Sequence, residues 1–324
     1  MAEERRKVVI IGNGFVGSTT AYTLMCDSLA EEIVIIDINK NKAEGDVLDM
    51  LHGMPLIEHP KKVKAGDYSD IKGAKIIIIT AGVGQKDPNE TRIELLNRNL
   101  RVFDSIIDNI KPNIDKNTIV LIVSNPVDVL SYYTYRRLGI DKSKVIGSGT
   151  VLDTQRLRFL LSKETGVDAR NVHSFVIGEH GDSEVMAFSV SNIGGIPFKE
   201  FCGVRGGACK RVTNKRLDEI SDLVRYAAYD IIGKKGATYY AVALAVKKIV
   251  DVILGDQHSI LTVSTYIDDE FDGRVQNLYF SLPCLVSTKG VETILRPNYN
   301  MKETEAIIAS GAKIKSLINE LDFN

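Results

Sequence analysis

The chain has no tryptophan, only five histidines and only four cysteines, and its 41 Lys and Arg are offset by 42 Asp and Glu. The resulting formal charge of −1 excludes the basic excess expected of a dedicated nucleic-acid binder. Cys26, Cys202, Cys209 and Cys284 show no CxxC spacing and are too sparse for a disulfide framework, so they read as buried free thiols. Long hydrophobic runs are also missing. Ile119–Val123 and Ile76–Ile79 are far shorter than a membrane span, and the opening MAEERRKVVI lacks the apolar core of a secretory leader. Low-complexity tracts and internal repeats are absent. These gaps predict a soluble, cytoplasmic protein of a reducing compartment, with neither nucleic acid nor membrane as partner. What remains is 324 residues, 44% of them apolar, enough to bury roughly three quarters of the unfolded surface.

The first half is a series of short, continuously apolar runs. Lys7–Ile11, Glu32–Ile36, Lys75–Thr80 and Thr118–Val123 read as strands, and Val145-Ile146 as the start of another. Helical stretches separate them, such as Ser18–Leu29 and Arg92–Ile110. Strands that are apolar throughout belong to a parallel sheet covered on both faces, joined by right-handed crossovers. After about Gly147 the pattern changes. Leu152–Thr165 reads as a helix ended by Gly166. Val172–Ile177 and Val185–Val190 read as strands, followed by a turn at Gly194-Gly195. Lys215–Ile232 and Thr238–Leu254 read as long helices. Ser259–Ile267, Val275–Pro283 and Gly290–Leu295 read as antiparallel strands, and Lys302–Leu321 as an amphipathic helix. The fold expected is α/β: a doubly wound parallel Rossmann sheet over 1–147, then a second α+β domain with antiparallel sheet over 148–324. A cleft between the halves is the natural ligand site.

Gly12-Asn13-Gly14-Phe15-Val16-Gly17 follows the first strand and opens the first helix. In that setting Gly12 permits the tight turn, Gly14 lets backbone approach a pyrophosphate, and Gly17 allows close contact between helix and sheet. Asp37 ends the second strand, where a carboxylate can accept from ribose hydroxyls and repel a 2′-phosphate, so NAD is favoured over NADP. Thr80-Ala81-Gly82 and Ser124-Asn125-Pro126 end later strands, either as ligand-contacting loops or as ordinary turns.

His180 lies in Gly178-Glu179-His180-Gly181-Asp182, an accessible loop after a strand. Proton transfer near neutral pH is most simply done by histidine. Asp153 and Arg156, three apart on a helix, can face one site. The acid would orient the imidazole, and the guanidinium fork would grip a carboxylate. The same two residues would also serve as a plain surface pair. Gly84–Arg92 is polar and rich in turn formers, and reads as a lid able to deliver Arg92 on closing.

GNGFVG, IIDIN, TAG, QKDPNETR, VSNPVD, GTVLDTQRLR, NVHSF, GEHGDS and KGATYYA run in this order from residue 12 to residue 241. In this the chain resembles the bacterial L-lactate dehydrogenases of the lactate/malate dehydrogenase family. The resemblance implies NAD-dependent interconversion of a 2-oxo and a 2-hydroxy acid. His180 would be the acid/base, Asp153 its partner and Arg92 the carbonyl-polarising group. Gln85, Arg92, Asn125, Arg156 and Thr238 would contact substrate. Gly12, Gly14, Val16, Gly17, Asp37, Lys42, Tyr68, Gly82, Val83, Ser105, Val123, Asn125 and Ser148 would lie beside NAD. It further implies a homotetramer, with Arg158 and His173 binding the activator fructose 1,6-bisphosphate, and no metal. One departure concerns the loop. Such enzymes usually have five residues between the specificity glutamine and the loop arginine, whereas six separate Gln85 from Arg92. Either Gln85 or Lys86 therefore occupies the discriminating position. The alternatives are malate dehydrogenase, a broader 2-hydroxy acid dehydrogenase, and a non-catalytic dinucleotide-binding protein.

Overall fold

In the computed structural model the described residues are 6–84, 92–206 and 212–321, with the side chains of Arg92 and Ile93 outside that set. The first half supplies β1 (Lys7–Ile11), α1 (Phe15–Met25), β2 (Glu32–Ile36), α2 (Lys40–Gly53), β3 (Lys62–Ala65), β4 (Ile76–Ile79), α3 (Arg92–Ile110), β5 (Ile119–Ile122), α4 (Val127–Leu138) and β6 (Val145–Gly147). The second half begins with α5 (Val151–Thr165), β7 (Val172–His173), β8 (Val176–Ile177), β9 (Val185–Met186), β10 (Asn192–Ile193) and β11 (Ile196–Pro197). It continues through α6 (Phe198–Arg205), α7 (Asn214–Arg225), α8 (Ala227–Lys235), α9 (Tyr240–Leu254), β12 (Ser259–Leu261), β13 (Ser264–Ile267), β14 (Leu278–Ser281), β15 (Cys284–Ser287), β16 (Gly290–Ile294) and α10 (Met301–Asn319).

The central sheet has eight strands in the order β14-β13-β6-β5-β4-β1-β2-β3. The six from the first half are all parallel, in register from Lys7↔Glu32 to Ile122↔Gly147. β1, β4 and β5 are buried at every position, as their unbroken apolar runs require. Each such isoleucine contributes roughly 1.5–3 kcal/mol by leaving water. One face packs on α3, α4 and α10 through Phe103, Leu130 and Ile314. The other packs on α1 and α9 through Leu24 and Val246. A smaller core in the second half joins Leu157 of α5 to Ile220 of α7. Strand order reverses between β1 and β4, and the crevice at their carboxyl ends is where ligands of such sheets bind.

Several elements differ from expectation. β13 and β14 are antiparallel but join the central sheet, β13 pairing with β6 through Ser264↔Gly147. The run 259–267 divides because Thr262 turns its carbonyl to the Thr150 amide, leaving β12 in a separate sheet with β15 and β16. Of the run 275–283 only Leu278–Ser281 is strand, Asn277 standing just before it at φ +53° and Pro283, with no amide to donate, just beyond it. The run 172–177 becomes two strands in different sheets, because the Ser174 carbonyl accepts from Arg158 rather than from a neighbouring strand. Only Val185-Met186 of the run 185–190 is strand, the rest closing into a short 3-10 turn. The helix expected over 215–232 breaks at Tyr226, whose backbone (φ −95°, ψ 3°) leaves the helical region.

The thiol expectation also needs correcting. Cys202 is disulfide-bonded, Cys26 is an exposed free thiol and Cys284 a buried one. A low cysteine count excludes a framework of bridges, but not a single bridge. Cys209 lies outside the described residues.

Candidate active site

β1 ends in the glycine loop. Gly12 has φ +104°, and a Cβ there would lie 2.5 Å from the Ala81 amide nitrogen, so only glycine fits. At Gly17 a Cβ would meet the Gly12 carbonyl at 1.8 Å, the close helix–strand approach expected of that position. A Cβ at Gly14 would meet nothing within 4 Å, so this face of the loop is open. Gly14 is also the N-cap of α1 and provides no side-chain cap, which leaves the helix's first N–H groups for a ligand.

The open face borders a cleft of about 850 Å³ lined by Gly12, Gly14, Asp37, Tyr68, Gly82, Val83 and Ser105, among others. Asp37 is held in place by accepting from Asn13 N at 2.5 Å and Asn39 N at 2.7 Å. An extended ligand with phosphates at the glycine loop and hydroxyls at Asp37 suits this donor set, as a dinucleotide requires. Not every expected residue lines the cleft. The Lys42 ammonium pairs with Asp46 at 2.9 Å and bonds the Asn13 carbonyl, which directs it away from the cleft. Gly17 lies behind the loop, and Val16, Val123, Asn125 and Ser148 are not part of this lining. Asn125, exposed and joined to Pro126 by a cis peptide, begins the loop after β5. Thr238 is half-buried in the turn between α8 and α9. Gln85 and Lys86 lie outside the described residues, as does the Arg92 side chain.

Sequence reasoning missed Asn99. This buried side chain of α3 accepts from Val83 N at 2.9 Å and donates to the Val83 carbonyl at 3.3 Å, fixing the loop after β4. An amide in a helix that is otherwise apolar on that side was the available signal.

His180, Asp153 and Arg156 do come together. His180 Nδ1 lies 2.6 Å from Asp153 Oδ2, and Arg156 Nη1 lies 2.6 Å from Asp153 Oδ1. Asp153 is only 2% exposed, because the first turn of α5 packs through Val151 against the core on the α1 and α9 face of the sheet. The His180 loop is pinned from three sides. Gly178 and Ser281 of β14 exchange backbone bonds, Glu179 N donates to Ser310 Oγ, and His180 N donates to Asp128 Oδ2 at 2.8 Å. Asp128 is itself buried in α4, just after β5, and its other oxygen accepts from Ser264 Oγ at 2.6 Å. Neither Asp128 nor Ser264 was foreseen, and a separation of 136 residues leaves no local trace of such a pair.

The charges follow from this packing. Burial opposes a charged imidazole, but the Asp153 carboxylate and its hydrogen bond outweigh it, helped by Glu184 and Asp128, and His180 is pushed up to about 9. Burial likewise opposes the Asp153 charge, yet His180 and Arg156 prevail and lower it. The pair is therefore imidazolium and carboxylate at neutral pH. With Nδ1 occupied, Nε2 is the nitrogen left to exchange a proton with a ligand. Among the described residues, the other guanidinium nitrogens of Arg156 have no hydrogen-bond partner, leaving donors for a carboxylate.

A second cleft, of about 630 Å³, brings Arg158 and His173 together with Lys248 among apolar neighbours. Burial lowers Arg158, whose Nε donates to the Ser174 carbonyl at 3.1 Å.

Comparisons with known proteins agree along nearly the whole chain. Residues 6–147 match the lactate/malate dehydrogenase NAD binding domain, and residues 150–322 match the lactate/malate dehydrogenase alpha/beta C-terminal domain. The L-lactate dehydrogenase of Thermoanaerobacter pseudethanolicus is 50% identical over 316 residues, 98% of this chain and 99% of that protein. That of Acetivibrio thermocellus is 48% identical over 317 residues, covering 98% of each. The ligand-bound crystal structure of the minor L-lactate dehydrogenase from Enterococcus mundtii superposes with a TM-score of 0.93 at 36% identity, covering 99% of this chain and 100% of that one. The glycine loop, the carboxylate at the end of β2 and the imidazole–carboxylate pair thus stand in a chain that belongs to the lactate/malate dehydrogenase family.

Proposed function

We propose that this NAD-dependent oxidoreductase is an L-lactate dehydrogenase, interconverting pyruvate and (S)-lactate. The observation that carries the reading is the convergence of His180, Asp153 and Arg156, with His180 tied through Asp128 to the carboxyl end of β5. The adjacent strand β4 ends at the dinucleotide cleft. When bound, NAD would supply or receive the hydride. Arg156 clamps the substrate carboxylate, Arg92 polarises the carbonyl, and His180 Nε2 donates a proton to the ketone oxygen. Asp153 keeps the imidazole oriented and charged. In the reverse direction neutral His180 removes the hydroxyl proton. Asn125, Thr238 and Gln85 complete the substrate pocket. Residues 1–147 would hold the cofactor and 148–324 most of the substrate groups.

The six-residue spacing between Gln85 and Arg92 favours a second reading, in which Lys86 faces a second carboxylate and oxaloacetate is the better substrate. Steady-state NADH oxidation separates the two. A kcat/KM for pyruvate at least about tenfold above that for oxaloacetate is expected, and the reverse order overturns the proposal. Gln85→Arg should then shift preference toward oxaloacetate more than Lys86→Arg does. No turnover on any small 2-oxo acid, with NADH still bound, would leave only a binding protein.

We further propose that fructose 1,6-bisphosphate activates the enzyme in a homotetramer. Arg158, His173 and Lys248 share one cleft and would meet phosphates. Arg158→Gln should abolish activation and leave basal turnover within about twofold of the parent. Activation that persists at full strength excludes this site. A cytoplasmic location accords with the free thiols of Cys26 and Cys284, while the Cys202 bridge is the observation that pulls the other way. Among the described residues, no helix is long and apolar enough to cross a membrane.

A further inference from the structure

The catalytic pair has a third neighbour. Glu184 follows the His180 loop, and Asp153, His180 and Glu184 each bring a nitrogen or oxygen to within 4.8 Å of the others. Glu184 is 3% exposed, and its Oε1 is buried without a hydrogen-bond partner. Its main chain is already secured, the amide donating to the Gly181 carbonyl at 3.1 Å and the carbonyl accepting from Arg225 Nη2 at 3.4 Å. The carboxyl is therefore not needed to hold the turn. Burying a carboxyl with an unpartnered oxygen costs free energy that an apolar side chain would not, so its presence beside His180 asks for a role. Metal binding is a poor one, because His180 Nδ1 and both Asp153 oxygens are already engaged and Arg156 adds positive charge.

Building on the assignment of His180 as acid/base, we infer that Glu184 is a positioning residue that supplies a switchable second negative charge to the imidazole and so sets the pH at which the ring changes from proton donor to proton acceptor. The groups facing Glu184 are Asp153 and Arg156 from α5, His180 from its own loop and Arg225 from α7; Asp128 from α4 faces His180. Burial is the largest influence on Glu184, and with the Asp153 charge it outweighs the three cations, pushing the carboxyl up to about 8. Glu184 is then a neutral acid at neutral pH and ionises just before His180 titrates. The sign follows. Once ionised, Glu184 holds the imidazolium, so ketone reduction, which needs the protonated ring, persists to higher pH. Alcohol oxidation, which needs the neutral ring, reaches its plateau only at correspondingly higher pH.

Glu184→Gln keeps the shape and removes the charge. In pH profiles of kcat/KM, the alkaline limb of pyruvate reduction and the acid limb of lactate oxidation should both move to lower pH, by about one unit. Glu184→Asp should restore much of the shift. A purely structural role would change thermal stability or both rates at every pH, without displacing the limbs together. Limbs within about 0.2 unit of the parent in folded Glu184→Gln, judged by its unfolding midpoint and NADH binding, overturn the inference. A measurement on the unmodified protein needs no variant. Infrared difference spectra should show a buried carboxylic acid band at about pH 7 that vanishes by about pH 9. No such band at the lower pH overturns the inference as well. His180→Asn is run alongside. If it abolishes turnover while the Glu184→Gln limbs stay put, the role of Glu184 alone fails; if it retains turnover, the acid/base assignment fails and takes Glu184 with it.

Discussion

Replacing His180 with asparagine lowers kcat for pyruvate reduction by about a thousandfold and leaves NADH affinity within about twofold. Asparagine can still accept or donate a hydrogen bond near Asp153 Oδ2, so the buried carboxylate is not abandoned. What disappears is a proton held at Nε2 by the adjoining negative charge. Positioned acid–base groups contribute about two to four orders of magnitude, and neither Asp153 nor Asp128 can substitute. Asp153 is bonded to Arg156 and to Nδ1 of the ring, and Asp128 is turned toward the His180 amide and Ser264. The NADH side is spared because no residue of the His180 loop lines the dinucleotide cleft. Rapid-mixing kinetics with saturating NADH, together with a fluorescence titration of NADH, check both halves of the expectation. A kcat within a few-fold of the parent would move the proton-transfer role to another group.

Replacing Arg156 with lysine lowers kcat/KM for pyruvate by at least about a hundredfold, most of it in KM. Lysine can remain an ion partner for Asp153, so the field around His180 largely survives. It cannot reproduce a planar fork that presents two parallel donors to a carboxylate. Each hydrogen bond to a charged group is worth about 1.5–3 kcal/mol, so losing one of the two accounts for the fall. Arg156 is half-buried, its side chain 15% exposed, and water compensates the loss poorly there. Steady-state kinetics over a wide pyruvate range measure the effect. If KM and kcat/KM do not change, the substrate carboxylate is gripped elsewhere.

The residues that sequence revealed and those that it concealed differ in kind. β1 and the glycine loop are local: a buried run, a turn that needs positive φ and a helix that begins without a cap all lie within a dozen positions. Asp153 and Arg156 are one helical turn apart, and His180 is flagged by its glycines, so the main chemical groups could be named before their contacts were known. Asp128 and Ser264 could not be, since they matter through hydrogen bonds to distant segments, while Asn99 left only the faint signal of an amide on an apolar helix face. Glu184 could not be either, because its importance lies in burial, which a charged letter in a polar loop conceals. β3 escaped for a related reason. As an edge strand with one buried residue in four, it carries almost no apolar signal. The divided strands of the second half failed at single residues, Thr262 and Ser174, where a backbone carbonyl turned to a partner outside the ladder and ended an otherwise plausible run.

The pairing of β13 with β6 has a consequence for how the molecule can be taken apart. Ser264 stands at that seam, bonding Asp128, while Ser281 at the end of β14 ties down Gly178. The ladder that welds the later half onto the earlier one is therefore also the bracket that carries the reactive imidazole. A cut after Gly147 would strip β6 of its β13 neighbour and His180 of its Asp128 anchor in one stroke. Neither fragment would be a self-sufficient module, and shuffling the halves among relatives would succeed only where this shared edge is preserved.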